Sequence, residues 1–416
     1  MTSTGREVAL RKSGDFSRAA PLFKSLWEAG GDPWDGWGLG HCLRKLHRYA
    51  ESLPVLEAVI DKNPSHDLAR GDAAWCIYYL HIKDIDRADS RALEALQRIK
   101  ELLEPTSDGP YGSFSALPRS TLQVGKLFND QKDHARALLV TDSLDPLRLS
   151  DKEGGQADGR TLPSDRENWH LIRTKALDQS EQWKESLEAT SAALASGIRF
   201  HLGQATWIQY RRARALHHLG DYTAAEDELK HSGGLGKIPV IDAALGAVLA
   251  HQGKVEAAIA QYARALVNQP NLGMAVKWLS ELADLLRRAG RQTDAASHDA
   301  LQAAVREKRG WPIKSGTVPP NEGEAQILGR LKPAWQEWSE VDQSTMSGTV
   351  TKLIQGGIAG FIRGADGQDY YFSSKEIVSN EPVVVGARVE FIASERFDRK
   401  KDRMSPAAIR IRRTDP

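Results

Sequence analysis

Four stretches of the sequence, KSGDFSRAAPLF, KLHRYAESLPVL, HLGDYTAAEDEL and HQGKVEAAIAQYARAL, share one pattern. Each has a polar turn, then a bulky residue, then small residues, then a large apolar one. Phe16 and Tyr49 stand 33 residues apart, as do Tyr222 and Val255, while Cys42 and Cys76 are 34 apart. From Gly5 to about Arg309 the apolar residues recur at helical spacing, in segments of roughly 12–16 residues broken by short turns. A unit of this length holds two helices and cannot bury its apolar face alone. Stacking of successive units is therefore required. With 416 residues the chain exceeds a single ordinary core.

The period and its residues resemble the tetratricopeptide repeat. The clearest unit runs from Pro239 to Pro270 and carries Leu245, Gly246, Leu249, Ala258, Tyr262 and Ala265 at the family's positions. Gly246 and Ala258 would let two helix axes approach closely, and Pro270 would stop the second helix. A second unit starts near Trp34, with Leu39, Gly40, Leu43, Tyr49, Leu56 and Pro64. A third starts near Thr206, with Ala213, Tyr222, Ala225 and Leu229. Residues 66–165 carry the pattern less well, with weak turn chemistry at Lys83–Asp86 and loops at 104–118 and 145–165. The latter is expected to leave the repeat surface. The reading is a mainly α protein: a repeat solenoid of about eight helix pairs over residues 1–308, followed by a linker and a small β domain.

The resemblance implies that the first helix of each pair lines a concave groove. It places Trp34, Trp37, His41, Arg44 and Lys45 there, then Trp75, Tyr78 and Tyr79, then Trp207, Tyr210, Arg214, His217 and His218. Aromatic rings beside cations suit a peptide or a nucleic-acid strand. The alternative is that these rings pack between repeats. The Asn expected of a carboxylate-clamping repeat is missing, so a chaperone-tail specialisation is not expected.

After Arg309 the composition changes. Residues 309–345 read as a linker holding one amphipathic helix, with Leu328, Leu331, Trp335 and Trp338, interrupted near Pro333. Period-two runs follow: SGTVTKLI, GIAGFIRG, QDYYFSS, ARVEFIA and PAAIRIRR. Five short strands predict a small closed barrel over 346–416. Gly348-Thr349-Val350, Gly360-Phe361-Ile362, Asp366-Gly367 and Asp369-Tyr370-Tyr371-Phe372 make this segment resemble a cold-shock domain, an OB-type barrel. That family stacks unpaired bases on strand aromatics and follows the phosphates with cations. The resemblance implies single-stranded RNA or DNA contact, with little sequence preference, through Lys352, Phe361, Arg363, Tyr371, Lys375, Arg399, Lys400, Lys401 and Arg403. Alternation sends Phe361, Arg363 and Tyr371 to one face and Ile362, Tyr370 and Phe372 inward. The match departs from the family at Ala359, Ser373, Ser374 and Lys352, where aromatic residues or His are usual. Residues 346–416 carry a net +3, whereas the whole chain is +1, and RFDRKKDR is expected to form a loop between the last two strands.

No H-E-x-x-H, C-x-x-C or phosphate-binding loop is present, and GGLGK at 233–237 lacks the required spacing. Cys42 and Cys76 fall at equivalent small positions, which predicts buried packing. Adjacent His217 and His218 point about 100° apart on a helix and make a poor metal pair. No metal, cofactor or catalytic set is expected. The N-terminal residues have no apolar signal core, which with two cysteines favours the cytoplasm. These features point to a non-enzymatic adaptor holding a protein partner in its groove and a nucleic-acid strand on its barrel. The alternatives are a protein-only scaffold and a regulatory subunit of a nucleic-acid-processing or conflict system.

Overall fold

The computed structural model describes residues 5–112, 115–154, 156–157, 160–232, 238–313, 322–339, 345–354, 358–379, 382–398 and 403–414. Helices in its first half pair as α1 (Arg6–Lys12) with α2 (Phe16–Gly30), α3 (Pro33–Lys45) with α4 (Tyr49–Lys62), α5 (Asp67–His81) with α6 (Ser90–Leu103), α7 (Leu117–Asp130) with α8 (His134–Asp142), and α9 (Asp165–Gln179) with α10 (Trp183–Ala195). Then come α11 (Gln204–His218) with α12 (Tyr222–Ser232), α13 (Pro239–His251) with α14 (Val255–Asn268), and α15 (Val276–Arg288) with α16 (Gln292–Lys308). The result is a helical-repeat solenoid. The chain divides into two compact units, residues 1–201 and 202–416, so the division falls within the repeats rather than at their end.

One turn geometry recurs. A residue with positive φ closes the first helix in seven of the eight pairs: Gly14, His47, Lys132, Glu181, Gly220, Gly253 and Gly290. In each, the next amide donates back to a carbonyl five residues earlier, on Leu10, Leu43, Phe128, Leu177, Leu216, Leu249 and Leu286. This is the Schellman termination, which satisfies carbonyls that the helix end leaves unbonded. The connection of residues 82–89, where turn chemistry is weak in the sequence, has no left-handed residue.

Small residues set the distance between paired helices. A Cβ on Gly40 would lie 2.5 Å from Leu56 Cδ2, and one on Gly246 would lie 2.9 Å from the Tyr262 ring. Leu56 and Tyr262 are both fully enclosed. Gly40→Ala is therefore expected to force α3 off α4 and cost about 1–3 kcal/mol, measured as a lower urea midpoint.

The described residues at both ends of the 145–165 segment pack on the repeats rather than leaving their surface. Leu144 and Leu149 are buried against Leu122 of α7 and Ile172 of α9, and Arg166 donates to the carbonyls of Pro146, Leu147 and Leu149. Two short strands, β1 (Gln156–Ala157) and β2 (Arg160–Thr161), pair there. An acid–histidine–acid contact pins the same region. Fully buried Glu167 accepts from the His201 backbone amide at 2.7 Å, and its other oxygen lies 2.6 Å from His201 Nδ1. Glu153 lies 3.0 Å from His201 Nε2. Burial alone would lower the His201 pKa, but hydrogen bonds to Glu167 and Glu153 outweigh it and hold the pKa above the usual value.

The helix read as part of a linker, α17 (Glu324–Trp338), is instead a docked cap on the last repeats. It packs on α14 and α16, burying Ile327, Leu331, Trp335 and Trp338 in the core of the second unit. Nor does Pro333 interrupt it. Pro333 and Gly329, four residues back, are both exposed, so the carbonyl left without an amide partner faces water.

The C-terminal strands are β3 (Thr345–Ile354), β4 (Ala359–Gly364), β5 (Asp369–Ser373), β6 (Arg388–Asp398) and β7 (Arg403–Arg413). They close in the order β3-β4-β5-β7-β6, antiparallel except for β5 against β7, an order that fits an OB-type barrel. Val350, Ile362, Tyr370, Phe372, Val389, Phe391, Ala408 and Ile411 fill it. Gly360 permits closure, because a Cβ there would stand 2.5 Å from the Lys352 carbonyl oxygen. Half of the cationic RFDRKKDR run lies in strand rather than loop. Arg396, Phe397 and Asp398 pair with Ser405, Met404 and Arg403 in an extended β6–β7 hairpin, and 399–402 lie outside the described residues.

Candidate functional site

First helices approach one another along each stack, α3 on α5 and α7 on α9, then α11 on α13 and α13 on α15. Their outward residues therefore share a wall. On the first unit's wall Trp34 is 59% exposed, while Trp37 and Tyr78 are only 8% exposed. The exposure expected of Trp37 and Tyr78 is thus corrected. Trp37 lies in the α4–α5 core, and Tyr78 packs edge-on against Trp75 and Tyr79.

Trp37 is held there by Asp72, which sequence reading overlooked. Its carboxylate accepts from Trp37 Nε1 at 3.1 Å, lies 2.8 Å from His41 Nδ1 and pairs with Arg44 Nε at 2.7 Å. One buried acid thus ties three α3 side chains to α5. Trp75 and Tyr79 stay partly exposed, Tyr79 stacked flat on Tyr49 at 4.3 Å with Lys83 over its ring. Trp34 and Lys45 on the same wall are exposed. An acid placed thirty-one residues after His41 and four before Cys76 was the available signal.

On the second unit's wall, Trp207 and Tyr210 are partly exposed and meet edge to face at 5.9 Å. Arg214 lies over the Tyr210 ring. His217 Nε2 lies 3.1 Å from Nδ1 of His251, a residue not singled out in the sequence although it stands one repeat later. The adjacent His218 ring lies 5.3 Å from that of His217.

The barrel assembles a cross-strand row. Lys352 of β3 stands opposite Phe361 of β4, Phe361 opposite Tyr371 of β5, and Tyr371 opposite Ala407 of β7. Phe361 and Tyr371 are partly exposed, with ring centroids 5.7 Å apart at 72°. They meet edge to face rather than as one flat platform. Ile362, Tyr370 and Phe372 point inward as alternation requires. Arg363 shares the outward face but is tied to Asp369 by two bonds, at 2.5 and 2.8 Å. The sequence pattern gave no account of that pairing. Lys352 and Lys375 are exposed. Arg403 begins β7, whereas Arg399, Lys400 and Lys401 lie outside the described residues, as does the 233–237 glycine run.

Both cysteines are buried and unbridged, and burial pushes each thiol up to about 11. Neither is a nucleophile at neutral pH. Among the described residues no group of three or more His, Cys, Asp or Glu side chains could hold a metal ion. No described helix is long and apolar enough to cross a membrane.

Residues 244–311 match the tetratricopeptide-repeat family. The matched segment spans most of α13 through α16. No curated protein matches the chain. Among solved structures, BtubC (BKLC) from P. vanneervenii is similar at 14% identity, over 56% of this chain and 97% of that one, with a TM-score of 0.38. A tetratricopeptide repeat protein from Parabacteroides merdae is similar at 12% identity, over 68% and 96%, with a TM-score of 0.30. The Naa15/Naa10 complex bound to HypK-THB is similar at 11% identity, over 80% and 46%, with a TM-score of 0.43.

Proposed function

We propose that this protein is a non-enzymatic adaptor whose helical repeats hold a protein partner and whose cold-shock-like barrel touches single-stranded RNA or DNA. The observation that carries the nucleic-acid half is the row Lys352, Phe361 and Tyr371 on three adjacent strands. A cation beside two rings offers a base one stacking face and a phosphate one partner. The repeat half rests on the tetratricopeptide match and on the partly exposed aromatic residues of both walls.

Titration of the whole chain with labelled oligo-U and oligo-dT tests the reading. Tyr371→Ala is expected to weaken binding by about 1–3 kcal/mol at every salt concentration. Replacing Lys352 and Lys375 with Gln should instead flatten the salt dependence. Absence of binding at low salt would favour a protein-only scaffold, a reading that the Arg363–Asp369 pairing already supports. Co-purifying molecules compared before and after nuclease treatment would separate the two directly.

A further inference from the structure

An open cleft lies between the start of α15 and the end of α16, at the end of this helix pair away from its Gly290 turn. Its volume is about 680 Å³, within the range of roughly 300–1,000 Å³ that small-molecule sites occupy. One side of it is apolar. Met274 and Trp311 line it while 68% and 43% exposed, and Ile313 lines it with them. Apolar side chains left facing water gain from an apolar occupant.

The other side is polar and incompletely bonded. Gln302 is buried, and its Nε2 donates to the Val276 carbonyl at 3.0 Å. Neither its Oε1 nor the Ser280 hydroxyl has a hydrogen-bond partner among the described residues. Arg306, one helical turn after Gln302, donates from Nη1 to the Pro312 carbonyl at 3.0 Å. Its Nε is buried without an acceptor, and its Nη2 has none among the described residues. No described carboxylate pairs with Arg306, and none lines the cleft. The neighbouring cations are already matched: Lys277 pairs with Glu281, and Lys308 and Arg309 pair with Glu324. Arg306 is therefore the cation left to meet an anion. Gln302 and Arg306 stand about 6 Å apart along one helix face, a span that one aromatic ring covers.

We propose that this cleft binds a small planar aromatic acid that also carries a hydrogen-bond donor. Its ring lies against Met274 and Trp311, its carboxylate meets Arg306, and its donor meets Gln302 Oε1. The site goes beyond the function proposed above, because it uses none of the residues assigned there to a protein partner or a nucleic acid.

The test titrates the whole chain with para-hydroxybenzoate, its neutral amide para-hydroxybenzamide, and benzoate. Binding is read from the Trp311 indole resonance, assigned by its loss in Trp311→Phe. The hydroxy acid is expected to shift that resonance and to bind about tenfold more tightly than the amide, as one hydrogen bond to a charged group allows. Benzoate, which lacks the donor, should bind about fivefold more weakly than the hydroxy acid, the loss of one neutral hydrogen bond. Arg306→Gln should abolish the preference for the acid and leave amide binding unchanged. Arg306→Lys keeps the charge and should retain part of the preference. Equal affinity for acid and amide would overturn the proposal, as would acid binding that leaves the Trp311 resonance unmoved. An equal fall in amide binding on Arg306→Gln would show that Arg306 only shapes the cleft, and would overturn it too. Absence of binding by all three compounds would do the same.

Discussion

Trp335→Ala is expected to destabilise the second unit by about 3–5 kcal/mol, the range for removing a fully enclosed indole. Trp335 is completely buried, and its Nε1 donates to His298 Nε2 at 2.8 Å. His298 Nδ1 lies 2.7 Å from the Asp294 carbonyl, which fixes the ring's proton on that nitrogen. Trp338 stacks on the same ring, and Arg291 lies over the Trp338 ring. The substitution thus removes the anchor of α17 as well as a large side chain. Urea unfolding would show an earlier loss of helix, and protease would cut earlier near residues 322–339. Burial also lowers the His298 pKa. The folded state therefore prefers the neutral ring, and its contribution is complete above the ordinary value near 6.5. It is lost as pH falls below that value, because the unfolded chain then takes up a proton that the folded one resists. Trp335→Phe, which keeps a ring but no donor, separates packing from the hydrogen bond. A Trp335→Ala protein with an unchanged urea midpoint would show that α17 is not held as described.

Glu167→Ala is expected to cost the first unit about 3–5 kcal/mol, as breaking a buried charge pair does. It strips both the imidazole and a backbone amide of His201 of their acceptor. Glu153→Ala removes a half-exposed partner of the same ring and should cost less than about 1 kcal/mol. The pH dependence runs opposite to that of His298. With its pKa raised, His201 contributes stability that is fully present below about 6.5. That stability is lost as pH rises through the folded-state value. The difference between the wild-type and Glu167→Ala midpoints should therefore shrink from mildly acidic to alkaline pH. A difference that grows instead would mean that the contact does not hold a proton.

Much of the repeat geometry was written locally. Gly14, Gly220, Gly253 and Gly290 each stand four residues after a leucine whose carbonyl closes the helix, a spacing visible in the sequence. His47, Lys132 and Glu181 take the same left-handed conformation without glycine. Only the neighbouring repeats identify those three turns. The inward residues of the barrel followed from alternation, since a strand's side chains change face at every step. The continuation of β6 and β7 through Arg396–Asp398 and Arg403–Ser405 did not. Charged residues carry weak strand preference, and pairing with a partner strand decided it.

The binding residues were less legible. Helical register correctly grouped Trp34, Trp37, His41 and Arg44 on one helix face, but a face does not reveal what covers it. Asp72, from the next repeat, turns Trp37, His41 and Arg44 into an interhelix contact. His251 likewise meets His217 only because one repeat stacks on the next. Asp369 meets Arg363 directly opposite it on the neighbouring strand.

By itself, then, the sequence determined what depends on near neighbours along the chain: helix pairs, most of their turns, the glycines at close approaches and the inward set of the barrel. Tertiary structure alone decided which polar and aromatic side chains stay available. It docked α17 through Trp335 and His298, tied Glu153 and Glu167 together through His201, and buried Trp37 beside Asp72. The physical reason is range. Backbone preference and side-chain periodicity act over a few residues, whereas a buried acid or ring finds its partner thirty or more residues away, where stacking brings it.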